Sequence, residues 1–249
     1  MEDSKEYLMR KKFFEKVITL YGRNVVIEAL QDENVTVYKL HMADSNQDDE
    51  VIRTIKSLAK KRDLEIFYHD KKALSRISKN AKQDQGVAID IISQSYQDAN
   101  EIKDMDKFRL IALDGIQNPQ NLGMIVRSCA AGNVDGIILP KKSSAKISPL
   151  VVKASAGTLF KIPIYYCNAL EDVLPQLKDT KIYSLSSKAI NSIYDVKETD
   201  KSVYVLGNES DGVSVDVDFL CNDSIAIPMK RDVESLNVAV TASLIAFMQ

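Results

Sequence analysis

RLIALDGIQNPQNLGMIVR, residues 109–127, changes its period halfway along. The first part, RLIALDGI (109–116), is a near-continuous apolar run, the pattern of a strand buried on both faces. The second part continues as NLGMIVRSCAAG (121–132) and reads as a helix. A buried strand, a polar turn and a helix are the unit of a parallel α/β sheet, and ligands of such sheets bind at the carboxyl ends of the strands. Gly115 and Gly123 permit tight backbone geometry there. Asn121 stands near the helix start, and Arg127 follows six residues later. The plain alternative is an Asn-Pro turn that caps a helix, with Arg127 solvated.

Downstream the same alternation continues. VDGIILP (134–140), FKIPIYYC (160–167), KIYSLSS (181–187), SVYVLGNE (202–209) and SIAIPM (224–229) read as strands. ISPLVVKASAG (147–157) and ALEDVLPQLKDT (169–180) read as helices, the latter despite Pro175. SLNVAVTASLIAFM (235–248) is a terminal helix that Ser235 can cap. Residues 108–249 are therefore expected to form one parallel α/β domain.

Upstream, SQSYQDANEIKDMDK (93–107) is polar and without clear period, and reads as a linker. Before it, VTVYKLHMA (35–43), LEIFYH (64–69) and GVAIDII (86–92) read as strands. GRNVVIEALQ (22–31), DEVIRTIKSLAKKRD (49–63) and KKALSRISKNAK (71–82) read as helices. Residues 21–92 thus form a small α/β unit. Residues 4–20 read as a charged amphipathic helix, making residues 1–20 a helical extension.

Composition narrows the class. The 249 residues carry 33 Lys+Arg against 35 Asp+Glu, so a wholly basic protein is excluded but local basic patches are not. No run approaches the ~18 apolar residues of a membrane span. The first residues, MEDSKEYLMRKKFFEK, lack a signal-peptide core. Three scattered cysteines and two histidines give neither a disulfide framework nor a metal motif. The expectation is a reduced, cytoplasmic protein without metal.

Two further loops leave strands at their carboxyl ends. VLGNESDG (205–212) carries Gly207, which admits close approach to the backbone, and the acid Glu209. Its plain reading is a turn made of turn-forming residues. IPMKRDVESLNVAV (227–240) ends a strand at Pro228 and opens a helix with Ser235-Leu236-Asn237. Those polar groups can cap the helix or be offered to a ligand at its positive end.

In this order, N-x-G-x-x-x-R (Asn121, Gly123, Arg127), LGNE (206–209) and IPM (227–229) with SLN (235–237) resemble the SpoU/TrmH-type RNA ribose methyltransferases of the SPOUT superfamily. KASAG (153–157) followed by Ile162-Pro163 fits the same pattern, as do GRNVVIEAL (22–30) and QGVA (85–88) in the front half. The front unit is similar to the ribosomal-protein-like RNA-binding module of the branch that modifies ribosomal RNA guanosine. Three positions depart from the pattern: Ser210 and Arg231 stand where glycine is usual, and Lys153 where arginine is common.

The resemblance implies a catalytic domain whose C-terminal segment is threaded as a trefoil knot, and a homodimer with the active site at its interface. It implies S-adenosylmethionine as cofactor, contacted by Leu206, Gly207, Ile227, Met229 and Leu236. It implies methyl transfer to a ribose 2′-hydroxyl, with Arg127, Asn121, Glu209, Ser235 and Asn237 as catalytic residues. Arg127 is either the base or a clamp that holds phosphate and nascent alkoxide. A guanidinium rarely gives up its proton, which keeps the second role open. Glu209 would orient Arg127 or the ribose.

RNA also needs basic surface, because phosphate contacts dominate its affinity. Residues 53–82 hold ten Lys/Arg against three acids, and residues 136–170 hold five lysines and no acid. From these come the candidate RNA contacts Lys60, Lys61, Arg62, Lys71, Lys72, Lys141, Lys142 and Lys146. Ribosomal RNA is the first expectation and transfer RNA the second. A non-catalytic RNA-binding or assembly factor on the same scaffold is the competing class. A nicotinamide oxidoreductase is disfavoured by the missing G-x-G-x-x-G.

Overall fold

The computed structural model describes residues 17–33, 35–79, 84–92 and 96–248. The chain divides into two compact units, Met1–Gln94 and Ser95–Gln249. Most of the 1–20 extension lies outside the described residues.

In the first unit the order is β1 (Val17–Tyr21), α1 (Arg23–Gln31), β2 (Thr36–Ala43), α2 (Glu50–Lys61), β3 (Ile66–His69), α3 (Lys71–Ser78) and β4 (Val87–Ile92). The strands form one sheet in the order β1-β4-β2-β3. β4 runs antiparallel to both β1 and β2, and β3 is parallel to β2. Asp49 and Asp70 accept the backbone N–H of Ile52 and Ala73 and so start α2 and α3. Leu20, Ile52, Ile55, Ile89 and Ile91 are fully buried. Each contributes about 1.5–3 kcal/mol by leaving water.

The second unit contains β5 (Tyr96–Asp98), β6 (Phe108–Leu113), α4 (Pro119–Ala131), β7 (Gly136–Pro140), α5 (Pro149–Ala154), β8 (Ile164–Cys167), β9 (Lys181–Leu185), β10 (Asn191–Ser192), β11 (Lys201–Leu206), α6 (Val215–Asp218), β12 (Asp223–Ala226) and α7 (Val238–Ala246). Its sheet has the order β10-β12-β9-β11-β6-β7-β8-β5, and every pairing is parallel. Leu110 to Leu113 are all fully buried, which is why that run carries no alternation. Helix α4 starts with Asn118 accepting the Gln120 N–H and Pro119 in the first turn. A Cβ at Gly123 would lie 2.4 Å from Ala154 Cβ, so glycine lets α4 and α5 close on each other. Helix α7 lies against α4, with Ser128 Oγ and Ser243 Oγ 2.7 Å apart.

Four sequence expectations are corrected. Val17–Tyr21 is a strand, not the end of a helix, because the β-branched alternation of VITLY suits the sheet edge beside β4. The linker 93–107 contains β5, paired with β8, and a 3₁₀ helix Ala99–Asp104. That helix is opened by a capping box between Asp98 and Glu101 and anchored by the fully buried Ile102. Residues 169–180 form two 3₁₀ turns, Leu170–Asp172 and Leu174–Gln176, because Pro175 denies the donor a longer helix needs. The terminal helix begins at Val238, and its cap is Asn237, which accepts the Ala239 N–H at 2.9 Å, rather than Ser235.

Candidate functional site

The loops after β6, β11 and β12 meet at the carboxyl edge of the second sheet. The first two are tied by the backbone: Asp114 N–H donates to Leu206 C=O at 2.8 Å. The Asp114 carboxylate accepts the Ser214 N–H at 2.7 Å. Within residues 207–213, Asn208 and Gly212 exchange two backbone hydrogen bonds of 3.1 Å. The Asn208 side chain accepts the N–H groups of Ser210 and Asp211 at 2.8 Å each. A Cβ on Gly207 would fall 1.8 Å from the Gly212 carbonyl carbon, so only glycine fits this crossing.

A cavity of about 500 Å³ opens between the loops after β11 and β12 and residues 185–188 at the end of β9, within the size range of small-molecule sites. Leu206, Gly207, Glu209, Ile227, Met229, Ser235 and Leu236, all chosen from sequence, line it. Val238 and Thr241 of α7 and Leu185 at the end of β9 line it as well. Those three were missed because nothing in a strand end or an apolar helix marks a wall residue.

Three motifs join beside the cavity. Asn237 Nδ2 donates to Asn121 Oδ1 at 3.2 Å, and Asn121 Nδ2 donates to a carboxylate oxygen of Glu209. Asn237 Oδ1 in turn accepts the Ala239 N–H in the first turn of α7. The bland capping role on α4 belongs to Asn118, which leaves the buried Asn121 side chain for this junction. Asn118 caps α4 as the plain reading of the Asn-Pro turn expected; Asp114 was not singled out from sequence, its only signal being an Asx residue directly after a buried strand.

Arg127 lies elsewhere. It is exposed on the outer face of α4 and, among the described residues, has no hydrogen-bond or ion-pair partner. Glu209 therefore orients Asn121 within one chain, not Arg127. Burial pushes the thiols of Cys129, Cys167 and Cys221 up to about 12, so none is a nucleophile at neutral pH. Among the described residues no group of three or more His, Cys, Asp or Glu is placed to hold a metal. No described helix is long and apolar enough to cross a membrane.

The basic candidates separate. Lys60, Lys61, Lys71 and Lys72 are exposed on the first unit, and Lys141, Lys142 and Lys146 on the second. Arg62 is not free: its guanidinium donates to the carbonyls of Ala29, Leu30, Asp32 and Val35. It satisfies the carboxyl end of α1, and that structural role replaces the RNA contact expected of it.

Comparison with known proteins matches this geometry to a family. Residues 108–247 match the SpoU rRNA Methylase family, and residues 19–97 match RNA 2′-O ribose methyltransferase substrate binding. The chain is 32% identical over 238 residues to a Staphylococcus saprophyticus protein named as a TrmH family tRNA/rRNA methyltransferase, covering 92% of this chain and 94% of that one. It is 29% identical to the 23S rRNA (guanosine-2′-O-)-methyltransferase RlmB of Xylella fastidiosa, with the same coverage of each. In fold it resembles the SpoU methyltransferase AviRb of Streptomyces viridochromogenes, solved in complex with AdoMet, with a TM-score of 0.73 at 19% identity over 98% of this chain and 92% of that one. The chain belongs to the SpoU rRNA methylase family.

Proposed function

We propose that this protein transfers the methyl group of S-adenosylmethionine to the 2′-hydroxyl of a guanosine in ribosomal RNA. The observation that carries the reading is the hydrogen-bonded junction of Asn237, Asn121 and Glu209 beside the cavity of the second unit. The cavity suits the cofactor chemically. Leu206, Ile227 and Leu236 offer apolar walls to an adenine, and Gly207 leaves backbone open to close approach. Four carboxylates, Glu209, Asp211, Asp218 and Glu234, line it against the single ammonium of Lys188. That balance favours a ligand with cationic sulfonium and ammonium groups over a phosphate-bearing one.

S-adenosylmethionine, when bound, supplies a methyl group already activated by its sulfonium. The protein must align the ribose oxygen with it and take up the hydroxyl proton. Glu209 keeps one oxygen for Asn121 and has the other to accept first a hydrogen bond from the ribose 2′-hydroxyl and then the proton it gives up. Asn121 and Asn237 hold that carboxylate in place, and rigid placement of this kind is worth several kcal/mol of barrier. Arg127 serves as a clamp for phosphate and developing alkoxide, since its guanidinium keeps its proton.

We further propose a homodimer and a C-terminal trefoil knot. Met124 of α4 and Val240, Leu244 and Phe247 along α7 form an exposed apolar ridge, 36–59% accessible, on two helices packed together. Arg127 stands on the same α4 face as Met124. Pairing through this ridge would bring it to a second copy, where it would complete a site whose lining sets Lys188 alone against four carboxylates. The threading is supported by the path of residues 227–237. They leave β12, share the cavity with the closed 207–213 loop, and reach α4 on the far side of β9 and β11. The exposed lysines of both units supply the RNA surface, and three free thiols suit a reducing cytoplasm.

Transfer from labelled cofactor to unmodified total RNA, fractionated afterwards, tests the reading. Label in ribosomal RNA is expected; label confined to transfer RNA would move the substrate to the second reading. With saturating RNA, Arg127→Ala is expected to lose most transfer, and near wild-type transfer would remove the clamp role.

A further inference from the structure

The loop that closes the cavity carries a residue its backbone does not favour. Val233 N–H donates to Lys230 C=O at 3.4 Å, closing a turn whose central residues, Arg231 and Asp232, have φ of 59° and 55°. Two consecutive left-handed residues define a turn that ordinarily takes Gly, Asn or Asp. Asp232 is such a residue; Arg231 is not, and its Cβ strains the position.

The Arg231 side chain gives the fold nothing in return. It is exposed and, among the described residues, makes no hydrogen bond or ion pair. Lys230 beside it is exposed as well. Met229 on one side of the turn and Glu234, Ser235 and Leu236 on the other line the cavity, whereas residues 230–233 do not. The turn therefore stands at the rim, outside the space a cofactor would fill.

We propose that Arg231, with Lys230, grips a phosphodiester of the RNA next to the nucleotide being methylated. This rests on the RNA methyl-transfer reading. Strain retained at a functional rim is repaid by what the side chain binds, and an uncommitted guanidinium is suited to a phosphate. The residue acts on substrate affinity and placement, not on the chemical step.

Three full-length variants test it: Arg231→Gly, which relieves the turn, Arg231→Ala, which keeps the strain, and Arg231→Lys, which keeps the charge. Each is measured for S-adenosylmethionine affinity without RNA, for binding of an unmodified ribosomal RNA transcript across salt concentrations, and for kcat and KM. Gly and Ala are expected to raise the RNA KM by about fivefold or more and to reduce the salt slope by about one. Their kcat and cofactor affinity stay unchanged, and Lys restores the slope. An unchanged RNA KM and slope in Gly and Ala would overturn the proposal. So would weakened cofactor binding, which would place the guanidinium on the cofactor's carboxylate. A difference between Gly and Ala as large as the effect itself would assign it to strain and also overturn it. A wild-type chain that methylates no RNA refutes the underlying reading instead, before any variant is compared.

Discussion

Asn121 shows how a residue can be visible in a sequence while its work is not. The Asn-Pro turn beside it caps α4 through Asn118, as its plain reading has it, while Asn121 binds Glu209 and Asn237. Spacing marked all three residues, but only tertiary structure could show that they touch across 88 and 116 positions of chain. Asn121→Ala is expected to lower kcat about 100-fold, the scale of a reacting group misplaced by an ångström. Stability should fall by only about 0.5–1.5 kcal/mol, since the exposed partners Glu209 and Asn237 each lose one hydrogen bond and regain water. Single-turnover transfer and urea unfolding would check the two numbers. Gly207 is a second such residue, legible as a glycine after a strand but not as one whose Cβ would collide with Gly212. Gly207→Ala should weaken S-adenosylmethionine binding by about ten- to hundredfold, the equivalent of a 1–3 kcal/mol overpacking cost. Calorimetry on the folded variant reads it directly.

At the scale of elements, the buried strands were legible because their apolar runs are short, rich in β-branched residues and bounded by turn formers. β6, β7 and β11 follow that rule. Short or marginal elements were not. The edge strand β5 has three residues, and the strand at Val17–Tyr21 was absorbed into a charged helical pattern. In the first unit the strands also build a polar chain that no periodicity encodes. Thr19 Oγ1 donates to Asp90 at 2.6 Å, and the His41 ring meets Asp90 at 3.1 Å and His69 at 3.0 Å. Burial alone would raise the Asp90 carboxyl, but the hydrogen bonds from His41 and Thr19 outweigh it and hold the group below its ordinary 3.8. A depressed carboxyl stabilises the fold above its unfolded value and loses that contribution as pH falls through the folded one. Unfolding should therefore show a loss of stability as pH falls below about 4, and Asp90→Asn should make that acid limb shallower. An equally steep acid limb in Asp90→Asn would assign the loss to other carboxylates.

At the scale of the whole molecule, the two-unit plan was legible from the change in composition near residue 108, although the structural boundary falls earlier, at Gln94 and Ser95. Neither a knot nor a partner copy leaves a mark in periodicity, because both depend on how finished elements are arranged. The ridge of Met124, Val240, Leu244 and Phe247 was hidden because it is shared by two helices, and α7 is apolar almost throughout. Leu244→Glu would bury unpaired charge in a dimer formed there and raise its dissociation constant about 100-fold or more. Light scattering should then report monomers that still bind S-adenosylmethionine but transfer no methyl. Persistence of the dimer would move the interface to another face.

The central claim is that the junction of three loops at the carboxyl edge of the second sheet methylates ribose. The most direct measurement is nucleoside analysis of ribosomal RNA after reaction with labelled S-adenosylmethionine, run with the wild-type chain and with Asn121→Ala. The account predicts label in 2′-O-methylguanosine with the wild type and a roughly 100-fold slower appearance with the variant. Label on a base, or equal rates from both proteins, would contradict it.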